Sequence, residues 1–537
     1  MASRERSHWA WGYRDRFPDD DQRDALAAQV GALLGREFKK KSVPTLDDAR
    51  LSDPRVTPPA QFAEYASAAR EDRLHHTYGK AYPDVVRGFR GDFANAPDWV
   101  AYPRNEDEIG QILAHCTQER LALIPYGGGT SVVGGVEAAI GKGYGGAVSL
   151  DLRKLDRVLE IDSVSRLVRV QAGATGPVLE DQLAPHGFSL RHFPQSFEFS
   201  TVGGWIATRA GGHFATLYTH IDDLVCSIRT VTPSGVWQNR RLPASGAGPN
   251  PDRFLLGSEG ILGVITEAWL RVQVRPRYRA SAGVTFARHA DGVRACRLLA
   301  QAGLYPSNCR LLDHTDALLG GVFVDGEAVL LVAFESADHP LGPWMDRALA
   351  IVTGEGGVCT DGPVHKEDVG SAAAAAATYK QSFLRAPYMQ SALVSMGVLA
   401  DTFETACTWD RFEAMDAAIR GAVLDVLKKE CGNGVIGRRF THVYPDGPAP
   451  YYTFLGPAEE GRELEQWRAV KDAASRAILD NGGTITHHHA VGRTHQPYYR
   501  AERSDVFAAV LAAAKRSVDP QGIMNPGVIL ADGEGEA

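Results

Sequence analysis

Between Asp21 and Leu34 (DQRDALAAQVGALL) apolar residues fall three and four apart with polar residues between them, which predicts an amphipathic helix. Pro44, Pro54, Pro58 and Pro59 break the chain after it. Residues 1–92 are therefore expected to form an N-terminal helical arm that packs on a larger domain. From 93 to 275 the pattern shortens to β-rich runs divided by glycine turns. AVSLDL (147–152), RLVRVQAG (166–173), VCSIRTVTPSG (225–235) and GVITEAWLRVQV (263–274) predict strands. EDEIGQILAHCTQE (106–119) and TGPVLEDQLAPHG (175–187) predict helices between them. Over 276–480 longer helical patterns alternate with strands. Alanine-rich SAAAAAATYKQSF (371–383) reads as a helix or as a mobile surface segment, and ELEQWRAVKDAASRAILDNGG (463–483) as a helix stopped by Gly-Gly. In the last segment, 481–537, DVFAAVLAAAKRSVDPQGIMNPGVIL predicts a helix, a proline-glycine turn and a short terminal strand. The fold class is α+β.

A chain of 537 residues is too long for one core, so several domains are expected. Its 44% hydrophobic and 23% charged residues are ordinary for a globular protein, and a net charge of −8 argues against a general nucleic-acid binder. Seven scattered cysteines without a CxxC point to a reducing compartment, with no disulfide framework and no zinc site. No apolar run reaches the roughly 18 residues of a membrane span. The opening MASRERSHWAWGYRDRF has no apolar signal core, so a cytoplasmic protein is expected. Peripheral membrane contact stays open.

Three glycine clusters carry the candidate chemistry. In LALIPYGGGTSVVGGV (121–136) a short apolar run ends in three glycines. Glycines admit positive φ and close approach, and successive exposed N–H groups form an anion-binding concavity. This reads as a strand leading into a pyrophosphate cradle, although a structural turn would show the same residues. In QSFEFSTVGGWIATRAGGHFATLYTHIDDLV (195–225) small residues stand where a helix could begin and attract phosphate oxygens. In LLGSEGILGVITEAWL (255–270) glycines precede a strand whose main chain could bind a flat ring. No GxGxxG opens a βαβ unit and no GxxxxGK[ST] occurs, which disfavours a Rossmann dinucleotide domain. A fourth feature, GGTITHHHAVGR (482–493), holds three adjacent histidines. On a strand they would alternate faces, so polar active-site lining is expected rather than a metal site.

PYGGGTSV, EFSTVGGWIATRAGG, LLGSEGILGVITEA, CRLLD, FETACTWDR, ILDNGGTITHHHAVG and VDPQGIMNPG stand in an order that resembles the alkyldihydroxyacetonephosphate synthase family. These are ether-lipid enzymes of the vanillyl-alcohol-oxidase type of FAD proteins, and the likeness covers nearly the whole chain. It implies a two-subdomain FAD-binding domain of the VAO/PCMH type (93–275), a separate α+β substrate cap (276–480) and a C-terminal segment returning to the flavin site (481–537). By the same resemblance Pro125, Tyr126, Gly127, Gly128, Gly129, Thr130, Ser131 and Val132 would cradle the pyrophosphate. Gln195, Ser196, Ser200, Thr201, Thr208, Arg209, Ala210 and Gly211 would line the flavin, with Glu259, Gly260, Leu262, Gly263 and Ile265 contacting the isoalloxazine or the adenine side. PYGGGTSV offers no histidine or cysteine for attachment, so the FAD is expected to be non-covalent.

The family exchanges the acyl chain of an acyl-dihydroxyacetone phosphate for a fatty alcohol without net redox change, through an adduct at flavin N5. Tyr451 aligns with its acid/base tyrosine. His192, Ser196, His487, His488 and His489 align with its polar wall, and Arg310 with the arginine of its RL-x-D motif. A structural ion pair with Asp313 is the other reading of Arg310, and core packing that of Tyr451. Two positions depart from the family. Gln195 replaces an acidic residue of animal members, and Gln390 stands where an arginine is usual. A neutral amide gives neither the charge nor the paired fork of a guanidinium, and Arg385 is offset so as to turn away on a helix. An FAD-dependent oxidase or dehydrogenase of a hydroxy acid or specialised metabolite is therefore the alternative, and a catalytically silent flavoprotein scaffold a third reading. The implied partners are a small-molecule or lipid substrate and a second copy of the chain in a homodimer.

Overall fold

Asn105 accepts a hydrogen bond from the Glu108 N–H at 2.9 Å and so starts the helix Glu106–Gln118. Its apolar face, Ile109, Ile112, Leu113 and Cys116, is buried against the strand Leu121–Tyr126. That strand runs parallel to Gly146–Asp151, which runs parallel to Trp99–Ala101, and Ala66–Ser67 closes the sheet antiparallel. Leu121–Tyr126 is the edge strand, which is why Pro125 is tolerated in it. This computed structural model describes residues 4–214, 218, 220–321, 325–367 and 374–531, with the backbone alone for 374–384.

A second, five-stranded antiparallel sheet has the order Val158–Asp162, Leu167–Gln171, Val264–Arg271, Val225–Thr232, Gly235–Gln238. The helices Gly176–Leu183 and Val202–Thr208 bury Leu179, Trp205 and Ile206 in the same core as Val168, Val170 and Ile228. These two sheets are the two subdomains of the VAO/PCMH-type architecture. The third sheet belongs to the cap. Its seven antiparallel strands stand in the order Val364–Glu367, Tyr278–Phe286, Ala328–Ser336, Asn308–Asp313, Val435–Val443, Pro448–Pro457, Val398–Glu404. The long helices Trp409–Cys431 and Glu463–Asp480 pack on it through Met415, Ile419, Val423, Val470 and Ile478.

One of two open readings is met, and two expectations need correction. The alanine-rich segment is helical from Ala374 to Ser395, with its first residues, 371–373, outside the described part. The chain end Gly527–Leu530 forms no strand, because Gly527 (φ 76°) and Ile529 (φ 61°) are left-handed. It is held instead by the bridge between Met524 and Leu123 just before it and by the Ile529 N–H on the Gly492 carbonyl (3.3 Å), with Val528, Ile529 and Leu530 buried in the five-stranded sheet's core. The arm is helical at Asp20–Leu34, Arg70–His75 and Tyr82–Phe89 but extended over much of its length. It also packs on more than one domain. Trp11 meets Phe199 of the FAD side edge-on at 5.7 Å, while the Trp11 N–H donates to Ser391 of the cap helix at 3.3 Å.

Trp9 is 2% exposed and wedged edge-on between Phe17 (4.7 Å) and Phe89 (4.8 Å). Trp9→Ala is expected to cost about 3–5 kcal/mol of arm packing. Limited proteolysis should then cut within the arm while the far-UV circular dichroism changes little. Protection equal to the wild type would mean that other contacts hold the arm.

Candidate active site

The strand Leu121–Tyr126 delivers its last residue directly into Gly127, Gly128 and Gly129. A Cβ at Gly128 would collide with the Phe199 carbonyl, and Gly129 has φ 66° beside the Tyr126 hydroxyl, so the loop can lie this close only as glycine. Ser131 Oγ accepts the Gly135 N–H at 2.9 Å and closes the turn. Across the cavity Thr201 caps the helix Val202–Thr208 by accepting the Gly204 N–H at 3.3 Å. Ser196 supplies its carbonyl to Phe199 and Ser200, both at 2.8 Å, and Ser200 Oγ takes the Trp205 indole N–H at 2.7 Å. The cavity is continuous from this cradle to the cap, where Arg310, Gln390, Arg439, Tyr451, His488 and His489 line it.

On the cap side Tyr451 pairs with Glu404 on one neighbouring strand and with Arg439 on the other. Its hydroxyl donates to Thr402 Oγ1 at 2.9 Å, and the Arg439 guanidinium lies 4.1 Å from its ring centre. Burial raises the phenol, partly offset by Arg439 and Thr402, so Tyr451 keeps its proton at neutral pH. Arg310 and Asp313, three apart on the strand Asn308–Asp313, point to opposite faces. Arg310 lines the cavity, whereas Asp313 caps the next helix through the Asp316 N–H (2.8 Å) and faces Arg438 at 3.8 Å.

The three histidines are not on a strand. The buried Glu404 carboxylate accepts the main-chain N–H groups of His487 (2.6 Å), His488 (3.1 Å) and His489 (2.9 Å) and the Thr486 hydroxyl (2.7 Å). Three successive amides can converge on one anion only in a curled loop. Burial alone would raise Glu404. The facing imidazoles and the Thr486 hydroxyl outweigh it and hold the carboxyl well below the usual range. Burial depresses His488 and takes His489 down to about 3, against the opposing pull of Glu404, so these rings are neutral at neutral pH.

The curl also overturns the expectation that neighbouring histidines would not converge. His442, His487 and His488 bring one nitrogen each within 4.8 Å of one another, as a metal site would require. Both His487 nitrogens are already hydrogen-bonded, Nε2 to the Tyr444 hydroxyl (2.8 Å) and Nδ1 to His488 Nδ1 (3.0 Å).

Four of the expected site residues stand off the cavity. Arg209, in a left-handed turn (φ 52°), reaches Asp222 at 2.8 Å. Leu262 is fully buried in the core of the five-stranded sheet. His192 lies behind the wall, edge-on to Trp205 at 5.0 Å, with burial depressing it to about 3. His487 forms a second layer with Tyr444 and His220. The other expected residues line the cavity. Glu259 does so while also accepting the Val491 N–H (2.9 Å) and the Gly492 N–H (2.9 Å). Arg385 is exposed, as its offset required, and Gln390 gives its amide to the Ala400 carbonyl (3.0 Å) and Asp401 (3.3 Å). Glu404, Arg439 and Lys80 were not singled out. Only Glu404 carried a signal, its place inside FETACTWDR.

Residues 97–239 match the model of the FAD binding domain family, and 275–529 that of the C-terminal domain of FAD linked oxidases. An alkyldihydroxyacetonephosphate synthase of Dictyostelium discoideum is 28% identical over 522 residues, covering 92% of this chain and 85% of its own. One of Caenorhabditis elegans is 30% identical over 476 residues, covering 84% and 79%. A solved structure of an alkyldihydroxyacetonephosphate synthase superposes with a TM-score of 0.79 at 23% identity, over 97% of this chain and 98% of that one. The cofactor is FAD, and the chain belongs to the alkyldihydroxyacetonephosphate synthase family.

Proposed function

We propose that this protein exchanges the acyl chain of an acyl-dihydroxyacetone phosphate for a long-chain alcohol, as an FAD-dependent alkylglycerone-phosphate synthase. The observation that carries the reading is the single cavity joining the glycine cradle to a wall of Tyr451, His488, His489 and two arginines. The cradle fits the cofactor, because its glycines, packed too closely on Thr201, Phe199 and Tyr126 to carry any Cβ, bare their main chain to the cavity, and it has no histidine or cysteine for a covalent link. FAD held there non-covalently would supply a nucleophilic centre for an exchange that involves no net electron transfer.

The protein's own groups then have three tasks. The alcohol must lose a proton as its oxygen bonds to the substrate carbon, and the fatty acid leaves as a carboxylate. Neutral His488 and His489 are the available acceptors, while protonated Tyr451 is a hydrogen-bond donor, steadied by Thr402 and Arg439. The substrate phosphate needs cations. Arg310 and Arg439 both line the cavity, so recognition does not depend on the neutral Gln390. Among the described residues no helix is long and apolar enough to cross a membrane. For peripheral contact with lipid, the helix Asp505–Val518 exposes Val506, Phe507 and Val510.

Incubation of the yellow protein with an acyl-dihydroxyacetone phosphate and a long-chain alcohol is expected to give the alkyl ether and free fatty acid with no oxygen consumed. Loss of flavin colour on a hydroxy acid, without exchange, would move the assignment to a dehydrogenase. Tyr451→Phe should lower turnover by about 100-fold or more with FAD retained, the scale of a lost general acid. Full activity would remove the hydroxyl from the chemistry. Gln390→Arg should leave the KM for the phosphorylated ketone within about two-fold, because the new guanidinium meets Asp401 rather than open space. A large fall in KM would place the phosphate at position 390 instead.

A further inference from the structure

Two cations of the N-terminal arm converge on the glycine cradle, and neither has a carboxylate partner among the described residues. Arg6 sends its guanidinium to the Gly128 carbonyl at 2.8 Å and lies 4.8 Å from the Phe199 ring centre. Lys80 holds the Ser131 carbonyl with its main-chain N–H at 2.6 Å, and the residue lines the cavity. In a planar trans peptide the carbonyl and the next N–H point opposite ways. Anchoring the Gly128 and Ser131 carbonyls on the arm therefore turns the Gly129 and Val132 N–H groups away from it.

The Lys80 ammonium is the unusual group. Asp84, the acid that bears on it, spends its carboxylate on the Ala81 N–H at 2.9 Å. Burial, with Arg6 adding to it, takes Lys80 down to about 7. Two half-buried like charges without a counter-ion are costly unless an anion completes the set. The anion this place suits carries two charges and lies along the glycine loop.

We propose that Lys80 is a contact residue for the diphosphate of FAD, its ammonium acting as counter-ion, and that Arg6 is a positioning residue that clamps the cradle. The proposal rests on FAD binding and is independent of which reaction the holoenzyme performs. No residue of the first 92 stands among those expected in the flavin site.

The test is titration of the apoprotein, by flavin fluorescence, with FAD and with riboflavin, which lacks the diphosphate. Lys80→Met is expected to weaken FAD by about 10- to 100-fold, the scale of one charge-assisted contact, and to leave riboflavin unchanged. Lys80→Arg should recover most of the FAD affinity. Equal FAD affinity in Lys80→Met, or equal loss for both flavins, would overturn the contact. Arg6→Gln keeps a donor for the Gly128 carbonyl and should hold FAD more tightly than Arg6→Leu. Identical affinities of those two variants would refute the clamp. Should Lys80→Met fail to fold, acetylation of the wild-type apoprotein decides the matter. FAD should protect Lys80 and riboflavin should not, and equal labelling with either flavin would defeat the proposal.

Discussion

Two buried carboxylates hold one short loop, and the geometry of the site follows from that. Glu404, at the end of a cap strand, accepts the N–H groups of His487, His488 and His489. Glu259, in the FAD-binding domain, accepts those of Val491 and Gly492. The six residues from His487 to Gly492 are thus bridged from both domains by charge-assisted hydrogen bonds, each worth roughly 1.5–3 kcal/mol. The two acids differ in environment. Glu404 faces imidazoles and a hydroxyl and stays ionised, while burial lifts Glu259 to about 7 against two N–H donors. The clip fixes where His488 and His489 stand relative to Tyr451, at 6.0 and 5.4 Å between ring centres.

The wall so built is unusual in its protonation. Burial keeps the imidazoles neutral and the phenol protonated, so proton acceptors and a donor coexist within one cavity near neutral pH. Positive charge enters through the arginines. Arg439 lies over the Tyr451 ring and is also tied to Asp316 at 2.9 Å, which limits its freedom to turn away. Position 390, where the resemblance implied an arginine, is an amide, and its neighbours already match an amide. Asp401 also takes the Trp467 indole N–H at 2.6 Å and faces Lys471 at 3.9 Å. The substitution is therefore built into the cap rather than a gap in it.

The arm joins the two halves. Trp11 touches the FAD side through Phe199, the Tyr388 hydroxyl of the cap accepts the Tyr13 N–H at 3.1 Å, and Arg6 reaches the cradle. A segment that the residue pattern marks as a helical, proline-broken arm thus lies against both binding surfaces. Its place explains how a cavity shared between two domains keeps one shape.

Local rules were legible in the chain by itself. Strand alternation, helix spacing and the run Gly127–Gly129 identify the strand and the cradle, because close approach and positive φ are demanded of single residues. The order of motifs added the family and, with it, Tyr451 and the histidines. What the chain alone left hidden was pairing at a distance. Glu404 is 83 residues from His487, Glu259 is 232 from Val491, and Arg6 is 122 from Gly128. Arg209 and Leu262 sit inside cavity-lining stretches yet face away, since a left-handed turn and a core position decide direction residue by residue. The sequence determined which segments can approach a flavin; the tertiary structure decided which side chains face it, because burial and long-range hydrogen bonds, not spacing, orient a loop.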